Sequence, residues 1–390
     1  MIDPASAAAP ADVLLSGQDP TGARVVSVVA AMRYHVARNG TCSDAGPPIV
    51  ATELTYYDDV AAQGRLQPRV LRRDIDAYAW RGFTDIVVQG TTRSERARSA
   101  LLVTLECASV QLALAVRVSG DRWIERGPGG LRFSEPQPFT AMPMRFDRAY
   151  GGFDRLAEAR HGNPKLREFM TTQFGAETAQ RSSRFAYPRN PAGKGYVIDA
   201  DSAVGTPLPN LEFPNDALTP ERLLAPVDAW ARRPYPAAFD WFSHAWFPRI
   251  GMLGIVPPTQ DDEPPQPETG LGLLAPDIRK IPRLKRVRHE LAQGSHPFLW
   301  RHRLKGDEQI QVTAMSTDGR DFQVTLPAHR PHIFIKQPSE PEEAAPAVLD
   351  AVFIETDLDR VTLVWRGSLR AHKPEMPRGF ECLCTHRVTW

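Results

Sequence analysis

The block Pro143-Met144-Arg145-Phe146-Asp147-Arg148-Ala149-Tyr150-Gly151-Gly152 mixes two arginines, a carboxylate and two aromatic rings ahead of a Gly-Gly turn. Two kinds of chemistry fit it. Asp147 can pair with Arg145 or Arg148 inside a buried turn. Alternatively, the arginines and rings form a partner-facing patch, because these residue types dominate interface hot spots. A second glycine-rich block, Asn190-Pro191-Ala192-Gly193-Lys194-Gly195-Tyr196, contains a Gly-Lys pair. A phosphate-cradling loop needs glycine five residues before that pair and Ser or Thr after it. Here Pro188 and Gly195 stand in those places, so a tight turn with a solvated Lys194 is expected instead.

Other catalytic constellations are weak. Asp58-Asp59, Asp147 with Asp154, and Asp261-Asp262 are acidic pairs. Two carboxylates could flank a glycosidic bond, with tryptophans stacking on the sugar; turn capping is the plainer reading. The ten histidines include no H-E-x-x-H arrangement, and His329 and His332, at a strand entrance, would point to opposite faces. There is no G-x-S-x-G elbow. Cys107 lies in a strand pattern beside Glu106 and reads as a small core residue. Cys42, Cys382 and Cys384 complete the cysteines, too few for a disulfide scaffold at this length. The C-x-C pair lacks the spacing and second ligand pair of a zinc knuckle. Neither cofactor nor metal is expected.

Bulk properties narrow the classes further. The 390 residues carry 47 Lys and Arg against 46 Asp and Glu. That balance removes the electrostatic case for a nucleic-acid binder or a polybasic membrane-surface protein. The opening Met1-Ile2-Asp3-Pro4 has neither a basic n-region nor an apolar h-region, and the apolar run Val25–Met32 is too short to span a bilayer. A cytoplasmic protein is expected. Thirty-six prolines, about 9% against a usual share of about 5%, argue against a long helical bundle or solenoid.

The elements that must position these residues are mostly strands. Leu101, Val103 and Leu105 alternate with other residues, as do Val110, Leu112, Leu114, Val116 and Val118. Ser119-Gly120-Asp121 and Gly127-Pro128-Gly129-Gly130 are turn signals. Further on, Ile310, Val312 and Ala314 precede Asp318-Gly319, then Phe322, Val324 and Leu326 follow. A last hairpin joins Val348–Glu355 to Val361–Arg366. Helices are expected at Asn163-Pro164, with Leu166, Phe169, Met170 and Phe174 on one face before Gly175, and at Thr219-Pro220-Glu221.

The expected fold class is mainly β, a β-rich α+β protein with antiparallel sheets in sandwich-like layers, a loop-rich middle and a few short helices. Its expected organisation is a flexible N-terminus over 1–20, then a β-rich domain over 21–256 whose motif region covers 140–256. A proline-rich linker or surface segment over 257–282 and a C-terminal antiparallel region over 283–390 complete it. The aromatic residues between Trp230 and Phe247 require burial or a partner, and 338–346 reads as an exposed acidic loop.

Read together, Met144–Gly152, Asn190–Tyr196 and Leu208-Pro209-Asn210-Leu211-Glu212 resemble a family known as domain of unknown function 2169, whose members accompany type VI secretion clusters. Thr84–Gly90, Leu304–Glu308, Leu326–Pro331, Leu349–Glu355 and Leu363–Arg366 extend the resemblance over about residues 84–366. It implies an effector adaptor or chaperone that holds a toxic effector, or its spike-tip domain, and loads it onto the secretion spike without catalysis. The sequence departs from the family pattern at 257–282 and after Pro226. The expected partners are therefore the effector and the spike-tip protein, with no nucleic acid and no membrane. The candidate contact residues are Arg145, Phe146, Arg148, Tyr150, Lys194, Tyr196 and Trp230. A carbohydrate-active enzyme or carbohydrate-binding β domain is the alternative, and a structural component fired with the spike is a third.

Overall fold

A computed structural model describes residues 12–19, 23–46, 49–58, 69–224, 232–247, 249–250, 292–372 and 383–390. The fold is strand-rich and built on two larger sheets. The first orders its strands Asp12–Gln18, Arg24–Val36, Arg360–Arg370, Ala347–Glu355, Thr84–Gln89 and Trp300–Arg301, with Cys42–Asp44 pairing on Arg24–Val36. The second orders Leu211–Glu212, Leu112–Ser119, Ala100–Cys107, Gln309–Val312 and Phe322–Thr325.

The apolar run in Arg24–Val36 has a physical cause. Val26, Val28 and Met32 face a large core shared with Val103, Leu105, Val116 and Ile310 of the second sheet. Val29 and Ala31 face the opposite side, against Trp241 and Phe353. A strand covered on both faces needs no polar alternation. The predicted hairpin over Ala100–Ser119 is present, with Leu101 opposite Val118 and Val103 opposite Val116. The last hairpin is present too, turning through Thr356–Leu358 and Asp359 at φ 47°.

The structure adds two arrangements that the sequence left open and corrects two expectations. The ranges 21–256 and 283–390 do not hold separate sheets. The hairpin Ala347–Arg370 sits between Arg24–Val36 and Thr84–Gln89, and Gln309–Val312 extends the second sheet beside Ala100–Cys107. Proline content suggested a boundary, but composition says nothing about which strands pair. Second, Ala347–Glu355 runs parallel to Thr84–Gln89, an exception in an otherwise antiparallel sheet. Third, part of the expected loose N-terminus is a strand: Val13, Leu14 and Leu15 pair with Val29, Val28 and Ser27. Fourth, within the expected acidic loop, Glu342–Ala345 forms a strand against Ile333–Lys336. The proline-rich segment 257–282 lies outside the described residues.

A buried ionic network crosses these segments. Arg249 donates to Asp74 at 2.7 Å, Arg366 to Asp350 at 2.6 Å, and Arg81 to Asp85. Removing one partner of such a pair strands a buried charge at a cost of about 3–5 kcal/mol. The network therefore fixes how residues 74–85, 249 and 350–366 sit together.

Three helices leave this β framework as one excursion: α1 (Arg155–His161), α2 (Pro164–Phe174) and α3 (Ala176–Arg181). Among the described residues no helix is long and apolar enough to cross a membrane.

Candidate partner-binding face

The three central motifs converge on one knot of backbone. Tyr150-Gly151 pairs in parallel with Lys194-Gly195. Asn190 donates its side-chain amide to the carbonyls of Phe146 (2.8 Å) and Tyr150 (3.0 Å). The Gly152 amide donates to the Asn190 carbonyl at 2.8 Å. Gly151 stands at φ 149°, and a Cβ there would lie 2.1 Å from that carbonyl oxygen. Only glycine permits this approach. The third motif closes the knot: the Asn210 amide donates to the Arg148 carbonyl at 2.8 Å. The Asn210 side chain donates to the Ser119 carbonyl and to Asp121.

Most of the predicted contact residues are consumed by this knot. Phe146, Tyr150 and Tyr196 are buried, at 0%, 0% and 3% exposure. Phe146 meets Phe242 and Trp246 edge-on, with ring centroids at 5.3 and 5.8 Å. Tyr150 meets Tyr187 edge-on at 5.0 Å and accepts a hydrogen bond from Arg233. Arg145 grips Asp147 through two bonds of 3.0 and 3.1 Å, and its guanidinium lies over the Tyr57 ring. This is the buried turn with an internal ion pair. The expectation that the three rings face a partner is corrected: ring-and-arginine composition describes cores as well as interfaces, and an irregular segment has no periodicity to tell the two apart.

Lys194 is not the solvated lysine expected of its turn. Its ammonium donates to Asn210 at 2.9 Å and lies 3.6 Å from Asp121. Burial and the neighbouring Arg148 push its pKa below the ordinary lysine value. Arg148 keeps a partly open side chain 3.7 Å from Asp147. Trp230 lies outside the described residues.

What the knot holds up is the helical excursion. Its base is clamped where Phe153 bridges Ala186 and where the Asp154 amide donates to the Phe185 carbonyl at 2.9 Å. Asp154 caps α1 by accepting from the Ala157 amide, and its other oxygen accepts from the Ser202 hydroxyl and the Ile198 amide. α2 starts as its sequence predicts. Asn163 accepts from the Leu166 amide, Pro164 takes the first helical position, and Gly175 ends the helix at φ 83°.

The predicted apolar face of α2 is not buried. Met170 alone is covered, while Leu166, Phe169 and Phe174 are 41%, 50% and 44% exposed. Leu156 on α1 adds a fourth exposed apolar side chain. A cavity of about 510 Å³ opens between the helices and is lined by Leu166, Met170, Ser182 and Phe185, among others. Four large apolar side chains exposed on one short excursion make it a candidate interaction surface. The signal in the sequence was the stripe itself; what it could not give was the direction in which that stripe faces.

Of the carboxylates singled out for catalysis, Asp58 is exposed and two others are tied down. Asp147 is held by Arg145, and Asp154 serves as a helix cap. Asp59, Asp261 and Asp262 lie outside the described residues. Cys107 is a buried core residue, as expected. An acid not singled out, Asp240, is fully buried. It accepts from Gln89 (2.5 Å), Tyr57 (3.0 Å) and the Trp241 amide (2.7 Å). Burial raises its pKa to about 7 despite those donors. Enclosed on every side, it belongs to the packing between the Tyr57 and Trp241 segments. Among the described residues no group of three His, Cys, Asp or Glu side chains is arranged to hold a metal ion.

Comparison with known proteins gives one match. Residues 21–366 fit a family described as "Uncharacterized protein conserved in bacteria (DUF2169)". No curated protein and no solved structure matches the chain.

Proposed function

We propose a reading that starts from one premise: the chain belongs to this bacterial family. Its function is that of a non-catalytic adaptor or chaperone of the type VI secretion system. It binds a toxic effector, or the effector's spike-tip domain, in the cytoplasm and helps load it onto the spike. The motif resemblance supplies the secretion context. The observation that carries the reading is the division of labour around residue 150. The motif side chains are spent on one another inside the knot, and the helices clamped above it offer leucines and phenylalanines to solvent. Loading also requires release, which suits a modest, partly polar contact rather than a core-like one.

The carbohydrate-enzyme alternative has less support, because its candidate acid Asp147 is committed to Arg145. The test is genetic and biochemical together. A strain lacking this protein should stop secreting one effector while still secreting others, and the purified protein should bind that effector directly. Unchanged secretion of every effector would refute the reading.

A further inference from the structure

We infer that the α1–α3 excursion is a groove for an acidic amphipathic helix of the bound protein; this rests on the adaptor reading and names the chemistry of its contact. Four observations lead there. First, α2 has eleven residues and one buried side chain. A helix that short is marginal in water without tertiary support, and here its support is one methionine and its caps. Second, Leu166, Phe169 and Phe174 stand exposed on either side of the buried Met170, and the four together make one broad apolar face of α2. Third, Leu166 and Met170 of that face line a concave cavity of about 510 Å³, which has room for an inserted side chain from the partner.

Fourth, the charge of the excursion selects the partner. Residues 155–184 contain six arginines and lysines against three glutamates. Glu158 is taken by Arg167 at 2.6 Å, Glu177 by Arg69 at 3.2 Å, and Arg160 is held by Asp199 and Asp201 at 3.7 and 4.0 Å, while Glu168 is exposed. Lys165 is exposed, and Arg184, also exposed, donates to the neutral carbonyl of His161. With Arg69, Asp199 and Asp201 included, seven arginines and lysines meet five carboxylates, so a smaller positive excess remains, with Lys165 and Arg184 exposed beside the groove. A second copy of this face would bring like charges together, which disfavours self-association. A flat anionic bilayer would leave the concavity unfilled. An acidic helix with an apolar stripe answers both the charge and the shape.

The probe is a fluorescent 18-residue peptide with leucines at i, i+3, i+4 and i+7 spacing and glutamates on the other face. Anisotropy should show it binding the full-length protein. Binding should weaken at least tenfold for a Phe169→Ser/Phe174→Ser variant and for a Lys165→Glu/Arg184→Glu variant. A scrambled peptide of the same composition, and the same pattern with lysine for glutamate, should bind at least tenfold more weakly. All four substituted side chains are exposed, so both variants should keep the wild-type unfolding midpoint. No binding of the patterned peptide overturns the inference. So does equal binding by the scrambled or lysine peptide, unchanged affinity in both variants, or tighter association with phosphatidylglycerol vesicles than with the peptide. Both variants capturing the cognate effector normally would also overturn it while leaving the adaptor reading intact; failure of the wild-type protein to bind any effector would remove the adaptor reading itself.

Discussion

Asn190 is the residue on which the central knot closes, because one side-chain amide serves two buried carbonyls. Asn190→Ala leaves the Tyr150 carbonyl without its donor, while the Phe146 carbonyl keeps the Ala149 amide; an unpaired buried group costs about 1–3 kcal/mol. A urea midpoint well below wild type is expected, and an unchanged midpoint would show that the knot is not a stability element. Phe146→Ala should cost about 3–5 kcal/mol, the usual cost of removing a core phenylalanine. Loss of binding in that variant would therefore report unfolding rather than a lost contact. Asp240 sets a pH dependence. Its folded pKa is about 7, against about 3.9 in an unfolded chain. The folded state holds this proton more tightly, so the contribution is complete below about pH 4 and is lost as pH rises through 7. Asp240→Asn removes that term. Wild-type stability should fall relative to the variant between pH 4 and 7, and parallel curves across that window would show that the carboxyl is not held protonated.

At the scale of elements, the excursion is separable from what carries it. Its ends meet at the Phe153–Ala186 bridge and the Asp154–Phe185 hydrogen bond. Replacing residues 156–183 with a short Gly-Ser link should leave one cooperative unfolding transition. The loss should be about 2–5 kcal/mol, because Met170 is the one large apolar side chain among the described residues that this segment buries. Loss of cooperativity in that deletion would mean that the helices belong to the core. The start of α2 was legible in Asn163-Pro164 and its end in Gly175, because capping and proline rules act within a few residues. The hairpins over 100–119 and 347–370 were legible for the same local reason. α1 and α3 were not, since Arg-Leu-Ala-Glu-Ala-Arg-His and Ala-Glu-Thr-Ala-Gln-Arg carry too few apolar residues to show a period. The stripe on α2 was visible in sequence, but the same stripe serves a buried helix and a docking helix alike.

For the whole molecule, the strand order decides the folding unit. The last long hairpin lies between strands from the first quarter of the chain, so neither 1–256 nor 283–390 has a complete first sheet. Expressed alone, each fragment should be insoluble or unfolded, and the intact chain should melt in a single transition. A folded 1–256 fragment would contradict the shared sheet. The sequence could not announce this arrangement. The parallel pairing of Ala351 with Asp85 spans more than half the chain, and periodicity reports only which face of a strand is apolar. The β-rich class and the turn positions follow from local pattern; the neighbours of each strand, and the inward turn of Phe146, Tyr150 and Tyr196, follow from pairings that pattern does not encode.

The central claim is that buried glycine-hinged motifs hold a helical face outward for another protein to cover. Hydrogen–deuterium exchange on the wild-type protein, alone and bound to the effector whose secretion depends on it, tests this directly. The account predicts strong slowing of exchange across 155–184 on binding, with the knot around Asn190 already protected in the free protein. Unchanged exchange across 155–184, with protection elsewhere on the surface, would contradict it.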